Sequence, residues 1–176
     1  MAMIEMTVEG IGIDPSNNPL VLLRDTSRKV FVPIWIGPAE AVSIKMELDS
    51  SQLPRPNTHD LISNILRDLG IKLVKVTVND FSDLVYYASL HLQIGRGENL
   101  HEIDARPSDA IALALRAQAQ IWVADDVVQK AGIQAEETEM PALPERAETE
   151  SGEAPIEELN RLARLLEGVD LGEEKR

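Results

Sequence analysis

The sequence predicts an α+β domain built from a duplicated strand–strand–helix unit, giving a mixed or antiparallel sheet with packed helices and a disordered acidic C-terminal tail. Three observations predict it. Long stretches alternate apolar and polar residues with period two, as half-buried strands do. Apolar residues recur at helical spacing directly after Pro38 and Pro107, and proline is pre-organised for the first helical position. Finally, Gly37-Pro38-Ala39-Glu40-Ala41-Val42-Ser43-Ile44 aligns with Arg106-Pro107-Ser108-Asp109-Ala110-Ile111-Ala112-Leu113, about 69 residues later. Both strings read proline, small residue, acid, alanine, β-branched residue, small residue, aliphatic. Each follows a strand-like run and opens a helix, so the two helices are expected to be related by a pseudo-twofold against the sheet.

The elements follow in order. Ile4, Met6 and Val8 alternate with Glu5, Thr7 and Glu9 as a strand, and Gly10 and Gly12 predict a bulge or bend before a turn over residues 14–19. Residues 20–23 and 29–36 form the arms of a hairpin, and Pro33, which cannot donate to a ladder, marks an edge or a bulge. Ala41, Ile44 and Leu48 carry the helix that Pro38 starts. After the stiff Pro54-Arg55-Pro56 connector, Asn57 caps a second helix with the stripe Leu61, Ile62, Ile65, Leu66, Leu69, and Gly70 ends it. Residues 71–78 and 84–94 are long strands around a turn at 79–83, 100–105 a short strand, and 107–118 a helix. A strand at 121–123 and a short helix at 125–131 complete the fold. Trp35 and Trp122 follow apolar neighbours and are expected in the core. Tyr86 and Tyr87, adjacent on a strand, point to opposite faces.

Composition sets the boundaries. Of 176 residues with net charge −13, residues 134–176 hold 13 acids against 5 bases, and the first 133 hold 17 against 12. The expected organisation is a domain at 1–133, an acidic disordered linker at 134–154, a short amphipathic helix at 155–168, and a disordered end at 169–176. The linker is too poor in aliphatics to offset the entropy of ordering. Without cysteine there are no disulfides, thiolate zinc sites or cysteine nucleophiles. No secretory leader pattern or membrane-length apolar run is visible, which makes the cytoplasm the expected address. Strong acidity excludes a general nucleic-acid sponge but leaves room for a local basic patch from Arg24, Arg28, Lys29, Arg55, Arg96 and Arg106.

Chemistry concentrates around His101-Glu102-Ile103-Asp104-Ala105-Arg106-Pro107-Ser108-Asp109. A strand delivers Asp104 and Arg106 to a helix N-terminus whose first turn holds Ser108 and Asp109. Unpaired helix N–H groups and a guanidinium there suit a phosphate. Asp104 and Asp109 equally suit a divalent metal, as hard oxygen ligands. A third reading is structural: Ser108 and Asp109 cap the helix and Asp104 pairs Arg106. Glu40 occupies the matching place in the other half, with Glu47 two turns along the same face. His59 with Asp60 and Arg55 is a candidate general base with an orienting neighbour. His91 and His101 lie on strands without metal-ligand spacing. No Walker loop, dinucleotide fingerprint, nucleophile elbow or zinc motif is present.

Residues 104–114, together with Pro33-Ile34-Trp35-Ile36-Gly37 and Arg55-Pro56-Asn57-Thr58-His59-Asp60-Leu61, make the chain resemble the bifunctional nuclease domain family over about residues 1–133. The resemblance implies an α+β domain that self-associates and acts as a nuclease on DNA and RNA. The resemblance brings no catalytic set with it; the candidates read from the residues are Asp104, Asp109, His59 and Glu40 as catalytic groups, Arg106, Ser108 and Arg55 as phosphate contacts, and Asp104 and Asp109 as ligands for Mg²⁺ or Mn²⁺. Two classes of function stay open. One is metal-assisted phosphodiester hydrolysis of nucleic acid. The other is a non-catalytic protein-binding factor of nucleic-acid machinery such as RNA polymerase or a repair complex; membrane association is not expected, and a homo-oligomer is.

Overall fold

Eight strands and four helices assemble as the periodicity requires, in a computed structural model that describes residues 2–25, 30–51, 53–95 and 100–134. The expected linker, amphipathic helix and end lie outside the described residues, apart from Gln134. The strands are β1 (Met3–Ile13), β2 (Pro19–Asp25), β3 (Val30–Trp35), β4 (Ile71–Ser82), β5 (Val85–Ile94), β6 (Leu100–Ala105), β7 (Gln120–Ala124) and β8 (Ile133–Gln134). The helices are α1 (Pro38–Leu48), α2 (Thr58–Asp68), α3 (Pro107–Ala117) and α4 (Asp125–Ala131).

One mixed sheet runs in the order β6-β5-β4-β7-β1-β2-β3-β8. Every neighbouring pair is antiparallel except β4 with β7. The long first strand joins the two halves: Met3 to Met6 pair with β7, and Thr7 to Ile13 pair with β2. Its register shifts between Val8 and Gly10, the bulge that the two glycines predict. Pro33 sits opposite Leu22, beyond the two residues of β3 that β8 covers, so its missing N–H faces a free edge.

The two strand–strand–helix successions are β2–β3–α1 and β5–β6–α3. Both helices begin with proline after an extended cap residue, Gly37 (φ −73°, ψ 158°) and Arg106 (φ −65°, ψ 143°). α3 is the central helix. Its Ala110, Ile111, Ala112, Leu113 and Ala114 are buried in one cluster with Leu73, Val76 and Val78 of β4, Ala88, Leu90 and Leu92 of β5, and Ile121 and Val123 of β7. The alternating alanines thin the helix, and α1 and α2 pack along it.

Several expectations need correction. Residues 79–82 continue β4 through a second register shift at Val78/Asp80, and the turn shrinks to Asp83 and Leu84, both at positive φ. Trp35 is 55% exposed, because strand alternation turns it outward after buried Ile34; its Nε1 donates to Asp14 Oδ2 at 3.1 Å. Trp122 is half-buried with its Nε1 unpaired. On α2, Ile62 and Leu66 are drawn inward while Leu61, Ile65 and Leu69 stay exposed, so only two of the five stripe residues are used. Tyr86 and Tyr87 diverge as expected: Tyr86 donates its hydroxyl to the Pro33 carbonyl at 2.8 Å and Tyr87 is exposed. No helix among the described residues is long and apolar enough to cross a membrane.

Candidate functional site

Where the three main helices meet, seven side chains, Glu40, Ser43, His59, Asp60, Arg106, Asp109 and Arg116, join in one hydrogen-bonded seam. α2 begins with a capping box: Asn57 Oδ1 accepts from the Asp60 N–H at 3.0 Å, and Asp60 Oδ2 accepts from the Asn57 N–H at 2.9 Å. That cap fixes the first turn and turns His59 inward, where it is 8% exposed. Its Nδ1 lies 2.8 Å from Ser43 Oγ of α1, and its Nε2 lies 3.0 Å from Asp109 Oδ1 of α3. Arg106 then closes the outer end. Its Nε donates to Asp109 Oδ2 at 2.7 Å, and its Nη2 reaches both Asp109 Oδ1 at 3.1 Å and Glu40 Oε1 at 2.9 Å.

Arg116 closes the inner end. Its Nε donates to Asp60 Oδ1 at 2.6 Å, its Nη1 to the Ala112 carbonyl at 2.9 Å, and its Nη2 to the Ser43 carbonyl and Oγ at 3.3 and 3.2 Å. Ser43 and Ala112 are equivalent positions in the internal alignment, so one guanidinium bridges matching carbonyls of the two repeated helices. Because Arg116 donates to Ser43 Oγ, the serine proton is available to His59 Nδ1. His59 Nε2 faces the carboxylate of Asp109, so both ring nitrogens have a partner in the seam.

Charge states follow from this wiring. Burial alone would raise the Asp109 carboxyl, but hydrogen bonds from Arg106 and His59 outweigh it and hold the group below the ordinary carboxylate range. Asp60 behaves alike: burial raises it, and Arg116 with the Asn57 amide bring it below. Arg106 is pushed up by Asp109 first and by Glu40 second. Both aspartates are therefore ionised at neutral pH.

The sequence-predicted residues divide sharply. His59, Asp109, Arg106 and Glu40 come together. Asp104 does not: it lies exposed on the edge strand β6 opposite Ser89, with no side-chain partner among the described residues. Arg106 pairs forward with Asp109 and across with Glu40 rather than with Asp104. Ser108 is buried in the first turn and caps nothing, and neither does Asp109, whose carboxylate is drawn sideways by the guanidinium and the imidazole. The trio of His59, Asp60 and Arg55 is not formed either. His59 and Asp60, one residue apart, point to different partners, and Arg55 is exposed with no partner among the described residues. Of the basic-patch candidates, Arg28, Lys29 and Arg96 lie outside the described residues, and Arg24 pairs with Glu9 at 3.1 Å. His101 is exposed on β6; His91 lies 2.9 Å from Thr77 Oγ1, and burial lowers its pKa.

Asp104 and Asp109 share no partner among the described residues. No group of three or more His, Asp or Glu among the described residues is placed to hold a metal ion. Sequence reasoning missed Ser43 and Arg116. The signal for Arg116 was present: a lone charge ending the apolar run of residues 110–115 must find partners in the core. Ser43, a small polar residue beside buried Ile44, carried no comparable signal. Glu40 folds back over Gly37, where any Cβ would collide with its carboxylate.

The chain matches the family model described as the bifunctional nuclease domain over residues 21–136. An uncharacterized protein of Mycobacterium tuberculosis is 39% identical over 132 residues, covering 74% of this chain and 77% of that protein. Bifunctional nuclease 1 of Oryza sativa subsp. japonica is 25% identical over 108 residues, 61% of this chain and 33% of the rice protein. Bifunctional nuclease 1 of Arabidopsis thaliana is 23% identical over 170 residues, 89% of this chain and 52% of the plant protein.

Proposed function

This chain belongs to the bifunctional nuclease domain family, and from that premise we propose that it hydrolyses phosphodiester bonds of DNA or RNA at the outer end of the seam. The observation that carries the reading is the state of Arg106. Its side chain is 67% exposed, its Nε and Nη2 are held by Asp109 and Glu40, and its Nη1 is left for a ligand oxygen. A guanidinium fixed on two edges and open on the third is a pre-oriented phosphate anchor.

Glu40 is the group suited to take a proton. One carboxylate oxygen contacts Arg106, and the other has no side-chain partner among the described residues. A water held beside it attacks phosphorus, its proton passes to Glu40, and the departing sugar oxygen takes a proton from solvent. Both nitrogens of His59 are already engaged and its ring is buried, so His59 acts through Asp109, as a positioning residue.

A second reading rests on the local charge. Glu40 and Asp109 outnumber Arg106, and the field at this end opposes a phosphodiester. A non-catalytic factor that presents the same surface to a protein partner has no such difficulty. Cleavage of labelled single-stranded DNA and RNA by the full chain, with and without chelator, separates the two. The nuclease reading expects cleavage that co-purifies with the protein and falls at least about 100-fold in Glu40→Gln at unchanged melting temperature. Activity that survives Glu40→Gln removes this assignment. Activity lost to chelator moves the chemistry to a metal, and activity lost on further purification leaves the binding factor.

A further inference from the structure

Behind the inner end of the seam lies a cleft of about 420 Å³ that the hydrolytic step does not use. Its polar wall comprises Glu47, Ser51, Asn57, Asp60, Asn64 and Arg116. Three of these are committed. Asn57 and Asp60 hold each other in the capping box, and Arg116, with its side chain 5% exposed, is tied to Asp60, Ser43 and Ala112. The other three are not. The side chains of Glu47, Ser51 and Asn64 have no hydrogen bond or ion pair among the described residues, though each is partly or fully accessible from the cleft. Met46, Leu53 and Pro56 supply the apolar part of the lining.

We infer that this cleft is a nucleobase subsite that takes guanine. The argument is one of complementarity. Two carboxylates and no uncommitted cation repel a phosphate, so the part of a ligand that enters must offer N–H donors. It must also be flat enough to lie against Met46, Leu53 and Pro56. Among the bases, guanine places two adjacent N–H donors, on N1 and the 2-amino group, at a spacing that one carboxylate accepts bidentately; Glu47 is the free carboxylate. Its O6 then wants a donor, which the Asn64 amide provides. Adenine, cytosine and uracil each lack that paired donor edge.

Position supports the assignment. Glu40 and Glu47 lie seven residues apart on the same face of α1, about 10 Å along a helix that rises about 1.5 Å per residue. That is a span of nucleotide dimensions. A strand with its base in the cleft can therefore follow α1 and bring a neighbouring phosphate to Arg106. The inference deepens the nuclease reading and rests on it for this last step only.

Calorimetric titration of the full chain with guanosine, adenosine, cytidine and uridine tests it, with ribose and spermidine as controls. Guanosine is expected to bind at least tenfold more tightly than the other nucleosides, and Glu47→Gln is expected to remove that preference while leaving the melting temperature unchanged. Amide NMR shifts on guanosine addition should centre on Asn57 and Asn64. No preference for guanosine, a preference that persists in Glu47→Gln, or binding of ribose or spermidine in its place overturns the proposal. Because the readout is binding, the two readings fail separately. Guanosine binding without cleavage removes the nuclease, and cleavage without guanosine binding removes the subsite.

Discussion

Two arginines stand at opposite ends of α3, and the same chemistry serves different purposes at each. Arg106 caps the helix, meets Glu40 and Asp109, and keeps 67% of its side chain exposed; Arg116, in the last turn, meets Asp60 and keeps 5%. The buried guanidinium satisfies two helix carbonyls and a serine hydroxyl as well as a carboxylate, which makes it part of the packing. The outer one contacts only carboxylates and leaves an edge to solvent. Burial, not residue type, decides which arginine is structural and which is available to a ligand.

The largest test of that contrast is Arg116→Ala. Removing the guanidinium takes away the second hydrogen bond at the Ser43 and Ala112 carbonyls, which keep their helical partners, and leaves the Asp60 carboxylate without its counter-ion in a partly buried site. Losing one member of such a buried pair costs about 3 kcal/mol or more. Urea denaturation should show a midpoint shift of that size, and Arg116→Lys should recover little of it, because an ammonium cannot replace the planar fork. A loss below about 1 kcal/mol would mean that the inner end is no more structural than the outer.

Asp109→Asn comes next. It keeps the shape but weakens the charged hydrogen bonds from Arg106 and His59, at a cost of about 1 kcal/mol given partial exposure. The pH dependence has a defined sign. Asp109 titrates below the ordinary 3.8, so its contribution is present above that value and is lost as the pH falls through the depressed folded-state pKa. Stability curves of the parent and Asp109→Asn should therefore differ at neutral pH and converge below pH 3.8. A difference that stays constant across that window would place the effect in packing rather than charge.

How much of this was legible in the sequence depends on whether a feature is local. Period-two alternation, the prolines at 38 and 107, the Asn57 cap and the glycine bulge in β1 are set by neighbouring residues, and the elements they predict are present. The internal alignment went further and paired Glu40 with Asp109, which the structure brings onto one guanidinium. What stayed hidden was tertiary. Asp104 lies two residues from Arg106, yet it stays exposed on the edge strand, while Arg106 already belongs to the start of α3 and turns to Asp109 and Glu40. His59 and Asp60 are consecutive but take different distant partners, Ser43 and Asp109 for the histidine, 16 and 50 residues away, and Arg116 for the aspartate, 56 residues away. Trp35 looked like core from its neighbours, and the parity of β3 put it outside. Spacing shows which face a residue takes; it does not show what waits across that face.

The smallest expected stability effect is the most informative about function. Arg106 is mostly solvated, and exposed ion pairs contribute about 0 to 1 kcal/mol. Arg106→Ala should therefore cost no more than about 0.5 kcal/mol, less than Asp109→Asn even though it removes both carboxylate contacts, and the cost should shrink further as added salt screens what remains. A pair kept mainly for stability would show the opposite order. If the arginine proves nearly silent in denaturation, its orientation by two carboxylates from the two repeated helices needs another explanation, and a ligand at its open edge supplies one. A cost approaching that of Arg116→Ala would instead make the outer end of the seam a second structural clamp, and the phosphate anchor would have to be sought elsewhere on the domain.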